Sequence, residues 1–161
     1  MTTVPVKLGS EAYDVLIGPA EAGLDRIQEL ARGASPILVS EPRVFGLHGQ
    51  LIADRLGADP VLIPEGEAAK DWGILHQLLA DLADRCVTRS TPIIALGGGS
   101  VGDVAGLAAS LFKRGCRVVH VRASLHRALA GQLRRPRIQV RAARRQARQY
   151  RSQAASSALR D

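Results

Sequence analysis

The stretch Ile93–Gly106, IIALGGGSVGDVAG, passes from a β-branched run through three consecutive glycines into a small-residue helical pattern. Its reading decides the fold. Gly97, Gly99 and Gly102 satisfy G-x-G-x-x-G, with a strand expected before them and a helix after. Glycines there let the backbone turn tightly and approach a pyrophosphate with no Cβ in the way, and the N–H groups that open the new helix favour an anion. The ordinary dinucleotide version uses the first strand of the series and places an acid about 20 residues on, at the end of the next strand. Here the strand comes late, and His120–Arg122 stands where the acid belongs. The glycines therefore read as a phosphate cradle, in an arrangement other than the ordinary dehydrogenase one.

Working outward, the pattern is one of strands alternating with helices. The runs TVPVKL and AYDVLIG, separated by the turn cluster GSE, predict a hairpin over 3–17. AEAGLDRIQELARG places Leu24, Ile27, Leu30 and Ala31 on one helical face, and Gly33 ends the helix. The strand PILVS stops at the polar pair Ser40 and Glu41. A second helix, RVFGLHGQLIADRLG, is expected to face the core with Val44, Leu47, Leu51 and Leu56. PVLIP is the next strand and opens onto EGEAAK. A helix over about 70–83 then presents Ile74, Leu75, Leu78, Leu79 and Leu82. PIIAL, the glycines, a helix through VGDVAGLAASLFKRG and the strand CRVVHV complete the series.

Each strand is a continuous apolar run, which implies a mostly parallel sheet covered on both faces. The predicted fold class is α/β, a Rossmann-like doubly wound sheet preceded by a β-hairpin. Ligands of such sheets bind at the carboxyl ends of the strands. Three polar segments fall there: Glu41, Glu65–Lys70 and Gly97–Asp103. Asp103, taken as a first-turn residue, suits the helix dipole. Beside a phosphate it would repel, so a functional Asp103 accepts hydrogen bonds from a ligand hydroxyl or amide.

Charge is divided sharply along the chain. Residues 1–121 hold 11 Lys and Arg against 14 Asp and Glu, whereas 122–161 hold 11 Arg, no Lys and one acid, so the net +7 comes wholly from the last quarter. The expected organisation is one Rossmann-like nucleotide-binding domain over 1–121 and an Arg-rich tail over 122–161, disordered or partly helical. Such a tail grips nucleic acid nonspecifically, through phosphates. Cys86 and Cys116 form no C-x-x-C pair, and no basic-then-apolar leader or membrane-length apolar run is present. A reducing, cytoplasmic setting with no membrane partner is the expectation.

Two separated motifs then carry a family resemblance. PEGEAAK, followed about 30 residues later by IIALGGGSVGDVAGLAASLFKRGCRVVHV, resembles the 3-dehydroquinate synthases. YDVLIGP and LHG fit the same family, and the similarity runs from about Val4 to Val121. Sugar-phosphate cyclases of the same fold, such as 2-deoxy-scyllo-inosose synthases, are the alternative, and a non-catalytic nucleotide- or nucleic-acid-binding module is a second. The resemblance implies a phosphate-eliminating lyase of the shikimate pathway and aromatic amino acid biosynthesis, converting 3-deoxy-D-arabino-heptulosonate 7-phosphate to 3-dehydroquinate. It implies NAD bound by the N-terminal domain, a divalent metal (zinc or cobalt) bound by a helical second domain, and a homodimer.

Matched residue by residue, Glu65, Gly66, Glu67 and Lys70 resemble the family's adenosine-side NAD loop, with the carboxylates on ribose hydroxyls and Lys70 supplying positive charge. Gly98, Gly99, Gly102 and Asp103 resemble its pyrophosphate and nicotinamide-ribose contacts. Glu41 stands where the family often has Asp or Asn. These upstream acids take the place of the one missing after the glycines. Beyond Val121 the family continues with a Pro-Thr-Thr stretch and then Val-Asp-Ser-Ser-Val-Gly-Gly-Lys-Thr, where this chain has RASLHRALAGQLRRPRIQ. The catalytic residues are thus unassigned and the metal ligands absent. An abrupt switch to Lys-free, Arg-rich sequence is what an out-of-frame reading of a GC-rich gene yields, so the expectation is a truncated or frameshifted copy, inactive alone.

Overall fold

The computed structural model of the chain describes residues 2–8, 11–18, 20–31, 33–122 and 137–139. Strands β1 (Thr2–Leu8) and β2 (Glu11–Ile17) pair antiparallel, from Thr2 opposite Ile17 to Leu8 opposite Glu11. Helix α1 (Ala20–Ala31) follows. It buries Leu24, Ile27 and Ala31, and just beyond it Gly33 takes a φ of 81°, the left-handed conformation that glycine adopts after a helix.

Four strands then form a parallel sheet: β3 (Ile37–Ser40), β4 (Asp59–Leu62), β5 (Ile93–Gly97) and β6 (Val118–Arg122). A short strand, β7 (Arg137–Gln139), pairs antiparallel with β6, and the order across the sheet is β4-β3-β5-β6-β7. Alternate residues along each central strand feed opposite faces. Ile37, Val39, Ile93, Ala95 and Val118 join one apolar cluster, while Leu38, Ile94, Leu96, Val119 and Val121 join the other. The first face is covered by α4 (Trp72–Asp84) and α5 (Gly99–Leu111), the second by α1, α3 (Gln50–Leu56) and Leu16 of the hairpin. Full burial of each of these Leu, Ile and Val side chains contributes about 1.5–3 kcal/mol. Coverage of both faces is why the strands read as unbroken apolar runs.

The second helical segment differs from its expected face. It begins as α2 (Pro42–Val44), passes through a wide turn at Phe45–Gly49 and continues as α3. In the wide turn the Gln50 N–H donates to the Phe45 carbonyl, five residues back. One residue is thereby inserted into the helical phase. Discounting it, Ile52 and Leu56 lie within about 20° of Val44 around the axis, and all three are buried. Leu47 and Leu51, expected inside, are 57% and 62% exposed. Gly49 makes the turn sterically feasible, because a Cβ there would stand 2.2 Å from Phe45 Cδ2.

Three further boundaries move. The segment Gly66–Lys70 is a separate 3-10 turn, and α4 starts at Trp72 with the Asp71 carboxylate accepting from the Gly73 N–H at 2.7 Å. α5 starts at Gly99, which puts Asp103 in the second turn rather than the first. Its carboxylate is thus beyond the reach of the dipole argument, which fades after the first turn. The third change concerns the tail. Arg122 closes β6, and Arg137–Gln139 extends the sheet rather than fraying, covering hydrogen-bonding groups that β6 would otherwise expose at its edge. The rest of the Arg-rich stretch, and with it the expectation of nucleic-acid binding, lies outside the described residues.

Candidate functional site

The chain moves outward from β3 to β4 on one side and then crosses back to β5 on the other. The switch therefore lies between the carboxyl ends of β3 and β5, where doubly wound sheets open a crevice. Ser40 closes its floor: its fully buried hydroxyl donates to the Leu96 carbonyl at 2.8 Å, tying the two strand ends together. The Ile63 N–H donates to the Ser40 carbonyl at 2.9 Å, which brings the end of β4 into the same edge. Glu41, Glu65–Lys70 and Gly97–Asp103 thus share one edge of the sheet, as the three strand ends require.

The glycines have different surroundings. Gly97 is buried, and a Cβ on it would meet the Val101 side chain at 2.7 Å. Gly102 faces β6, where a Cβ would stand 3.3 Å from Nδ1 of the His120 ring. Both permit close packing of α5 on the sheet, the part usually played by the last glycine of such a fingerprint. Gly98 and Gly99 face open space, with no atom within 4 Å of the position a Cβ would occupy. Gly98 caps α5 and, being glycine, offers its opening N–H groups no side-chain acceptor. The two glycines and the start of α5 make a cradle that an added side chain would fill.

The second motif meets this cradle directly. In the 3-10 turn, Gly66 takes a φ of 63° and Ala69 is fully buried in the cluster with Val101, Val104 and Ala105 of α5. That anchor places Lys70 against the helix. Its Nζ lies 3.1 Å from Glu67 Oε1 and 3.5 Å from Asp103 Oδ2. Hydrogen bonding and charge from Glu67, with a smaller contribution from Asp103, hold the ammonium above its ordinary range.

Glu41 is buried, with a relative exposure of 8%. Burial first, then the negative charge of Glu65, raises its carboxyl above the ordinary 4.5, with Arg43 opposing. An acid whose folded pKa is raised binds more protons folded than unfolded, so stability falls as pH rises from about 4.5 through the folded value. Glu41→Gln is expected to leave the melting temperature unchanged near pH 4 and to raise it by an amount that grows as pH passes through the raised folded value and is constant above it. Melting curves across that range check this, and a pH-independent difference would refute it.

All nine candidate residues (Glu41, Glu65, Gly66, Glu67, Lys70, Gly98, Gly99, Gly102 and Asp103) lie at or beside this edge. They are not equivalent in setting: Gly98 and Gly99 line open space, Gly102 packs on His120, and Lys70 and Asp103 pair with each other. Sequence reasoning missed Ser40 as the tie across the switch and Ala69 as the anchor of the turn. Ser40 had a signal, a polar residue ending a buried apolar strand, but its partner 56 residues away had none. Among the described residues, no group of three or more His, Cys, Asp or Glu side chains could hold a metal ion, and no helix is long and apolar enough to cross a membrane.

Residues 60–130 match the family model of the 3-dehydroquinate synthase N-terminal domain. Over this segment the chain resembles the 3-dehydroquinate synthases. The match runs past Val121, so the resemblance extends further than the two motifs alone indicate. The 3-dehydroquinate synthase of Ruegeria sp. (strain TM1040) is 40% identical over 131 residues, covering 76% of this chain and 35% of the relative. That of Pseudomonas putida (strain W619) is 37% identical over 131 residues, covering 78% and 35%. The chain therefore spans about a third of the length of those relatives. Among solved structures, a 2-deoxy-scyllo-inosose synthase superposes with a TM-score of 0.65 at 24% identity over 74% of this chain and 35% of its own, a likeness of fold. A 2-epi-5-epi-valiolone synthase from Streptomyces hygroscopicus subsp. jinggangensis 5008, with NAD+ and Zn2+ bound, superposes with a TM-score of 0.54 at 27% identity over 71% and 33%. The Rossmann-like architecture of this chain is common to these sugar-phosphate cyclases.

Proposed function

We propose that this chain provides the NAD-binding unit of a 3-dehydroquinate synthase, a phosphate-eliminating lyase that acts on 3-deoxy-D-arabino-heptulosonate 7-phosphate in the cytoplasm. The observation that carries the reading is the meeting of its two motifs. The open cradle at Gly98 and Gly99 and the Lys70–Asp103 contact fall on one edge of the sheet, beside the switch. Relatives near 40% identity favour this synthase over the other cyclases, whose likeness is mainly one of fold.

The residues suit the cofactor. Gly98, Gly99 and the opening N–H groups of α5 would hold the diphosphate, and Glu41, Glu65 and Glu67 would accept hydrogen bonds from adenosine-side ribose hydroxyls. Asp103 would accept from the nicotinamide ribose, and Gly66, at positive φ, turns the loop toward the crevice. NAD, when bound, supplies reversible hydride acceptance from a substrate hydroxyl. This unit's own residues bind and orient: they fix the diphosphate at the helix start and draw the ribose hydroxyls to carboxylates. The divalent metal and most of the substrate site belong, in this reading, to parts of the family beyond the described residues, and a second copy of the chain is the expected partner.

Thermal denaturation of the chain with NAD tests the proposal. Binding to the folded state alone stabilises by about 2.7 kcal/mol at a hundredfold excess over the dissociation constant. A dose-dependent rise in melting temperature is expected. No shift at any millimolar concentration would reject the cofactor assignment.

A further inference from the structure

The Lys70 ammonium lies between Glu67 of its own turn and Asp103 of α5, at 3.1 and 3.5 Å. Asp103 is one helical turn beyond Gly99, so the two share a face and the carboxylate stands on the cradle's side of the helix. An anionic ligand at Gly98 and Gly99 would meet that carboxylate as a like charge, at a site whose other assets are neutral N–H groups and a helix dipole. Such an arrangement is self-defeating unless the carboxylate has a cation of its own. Lys70 is that cation: the burial of Ala69 beside it anchors the backbone from which this exposed side chain reaches Asp103.

We infer that Lys70 is a positioning residue whose part is to neutralise and aim Asp103, making an acid tolerable beside a diphosphate and coupling the Gly66–Lys70 turn to the cradle. It acts on the ligand through Asp103 rather than by contact with the phosphates. This rests on the assignment of the cradle to NAD and deepens it. A lysine that touched the phosphates itself would matter equally whatever stood at 103. A lysine that acts through Asp103 loses its importance when the carboxylate is gone.

A double-mutant cycle separates the two. NAD affinity is measured by calorimetry on the full chain and on Lys70→Met, Asp103→Asn and the double variant, at low ionic strength. The Lys70→Met loss is expected to be about fivefold with Asp103 present and under about twofold with Asn at 103, the coupling of an exposed ion pair. It should shrink as salt is raised past about 0.15 M, and Lys70→Arg should restore most of the affinity. Equal losses in both backgrounds would overturn the inference and leave the NAD reading intact. A second cycle, of unfolding free energy without ligand, reports the ion pair alone. Coupling there with no NAD binding by any variant would reject both readings together, and coupling in neither cycle would show that the ion pair is not formed in solution.

Discussion

Gly98→Val is expected to fold as the parent chain does and to bind NAD at least tenfold more weakly. The backbone at Gly98 has a φ of −81° and a ψ of −163°, extended values open to any residue. A Cβ placed there would meet no atom within 4 Å apart from its own chain neighbours. A valine therefore brings neither strain nor overlap to the free protein, and its melting temperature should lie within about 2 °C of the parent. The same volume is the approach to the opening N–H groups of α5, so branched carbons there hold a diphosphate off those donors. Each hydrogen bond to a charged group is worth about 1.5–3 kcal/mol, so forfeiting even one weakens binding tenfold or more. Calorimetric titration beside a melting curve checks both halves. A variant that binds NAD normally would remove the cradle from the site.

The neighbouring substitution has the opposite expected result. Gly97→Val should destabilise the fold by about 1–3 kcal/mol or more, the cost of overpacking a filled core. A Cβ on Gly97 would lie 2.7 Å from Val101 Cγ2 and 2.9 Å from Val101 Cβ, and Val101 is fully buried among the helices on that face. The obstructing atoms belong to a short, stiff, β-branched side chain close to its own backbone, so the helix must shift. Urea unfolding measures the loss. An unchanged midpoint would mean that α5 can lift from the sheet at no cost. Two adjacent glycines of one motif thus have separable duties, one to the fold and one to the ligand.

Much of the architecture was open to reading in the chain. The β-branched runs and the 3.6-residue spacing of Leu24, Ile27 and Ala31, or of Leu75, Leu78 and Leu82, follow from local burial, and each of these residues is buried. The second helix misled because its apolar residues were counted at α-helical spacing. The five-residue turn at Phe45–Gly49 has no apolar signature and shifts every later residue by one place. Asp103 was misplaced by one turn, since in a run of three glycines nothing local says which of them caps the helix. Lys70 was assigned to the longer helix for a similar reason: Asp71, the real cap, is a short acid among other charged residues.

At the site, the residue types were legible and their relations were not. Composition and spacing carried the two motifs, the acids at three strand ends and the unbroken apolar runs, because those depend on neighbours in the chain. The order β4-β3-β5-β6, and hence the crevice, depends on which side of β3 each crossover takes. The Ser40 tie to Leu96 spans 56 residues, and the Lys70–Asp103 pair brings together residues from a turn and a helix that follow different strands. Such pairings are set by packing: Ala69 must find the small-residue face of α5 before Lys70 can reach Asp103. Local patterning is an energy of near neighbours and can be read along the chain, whereas the charge balance of the cradle exists only once the sheet has closed its two faces.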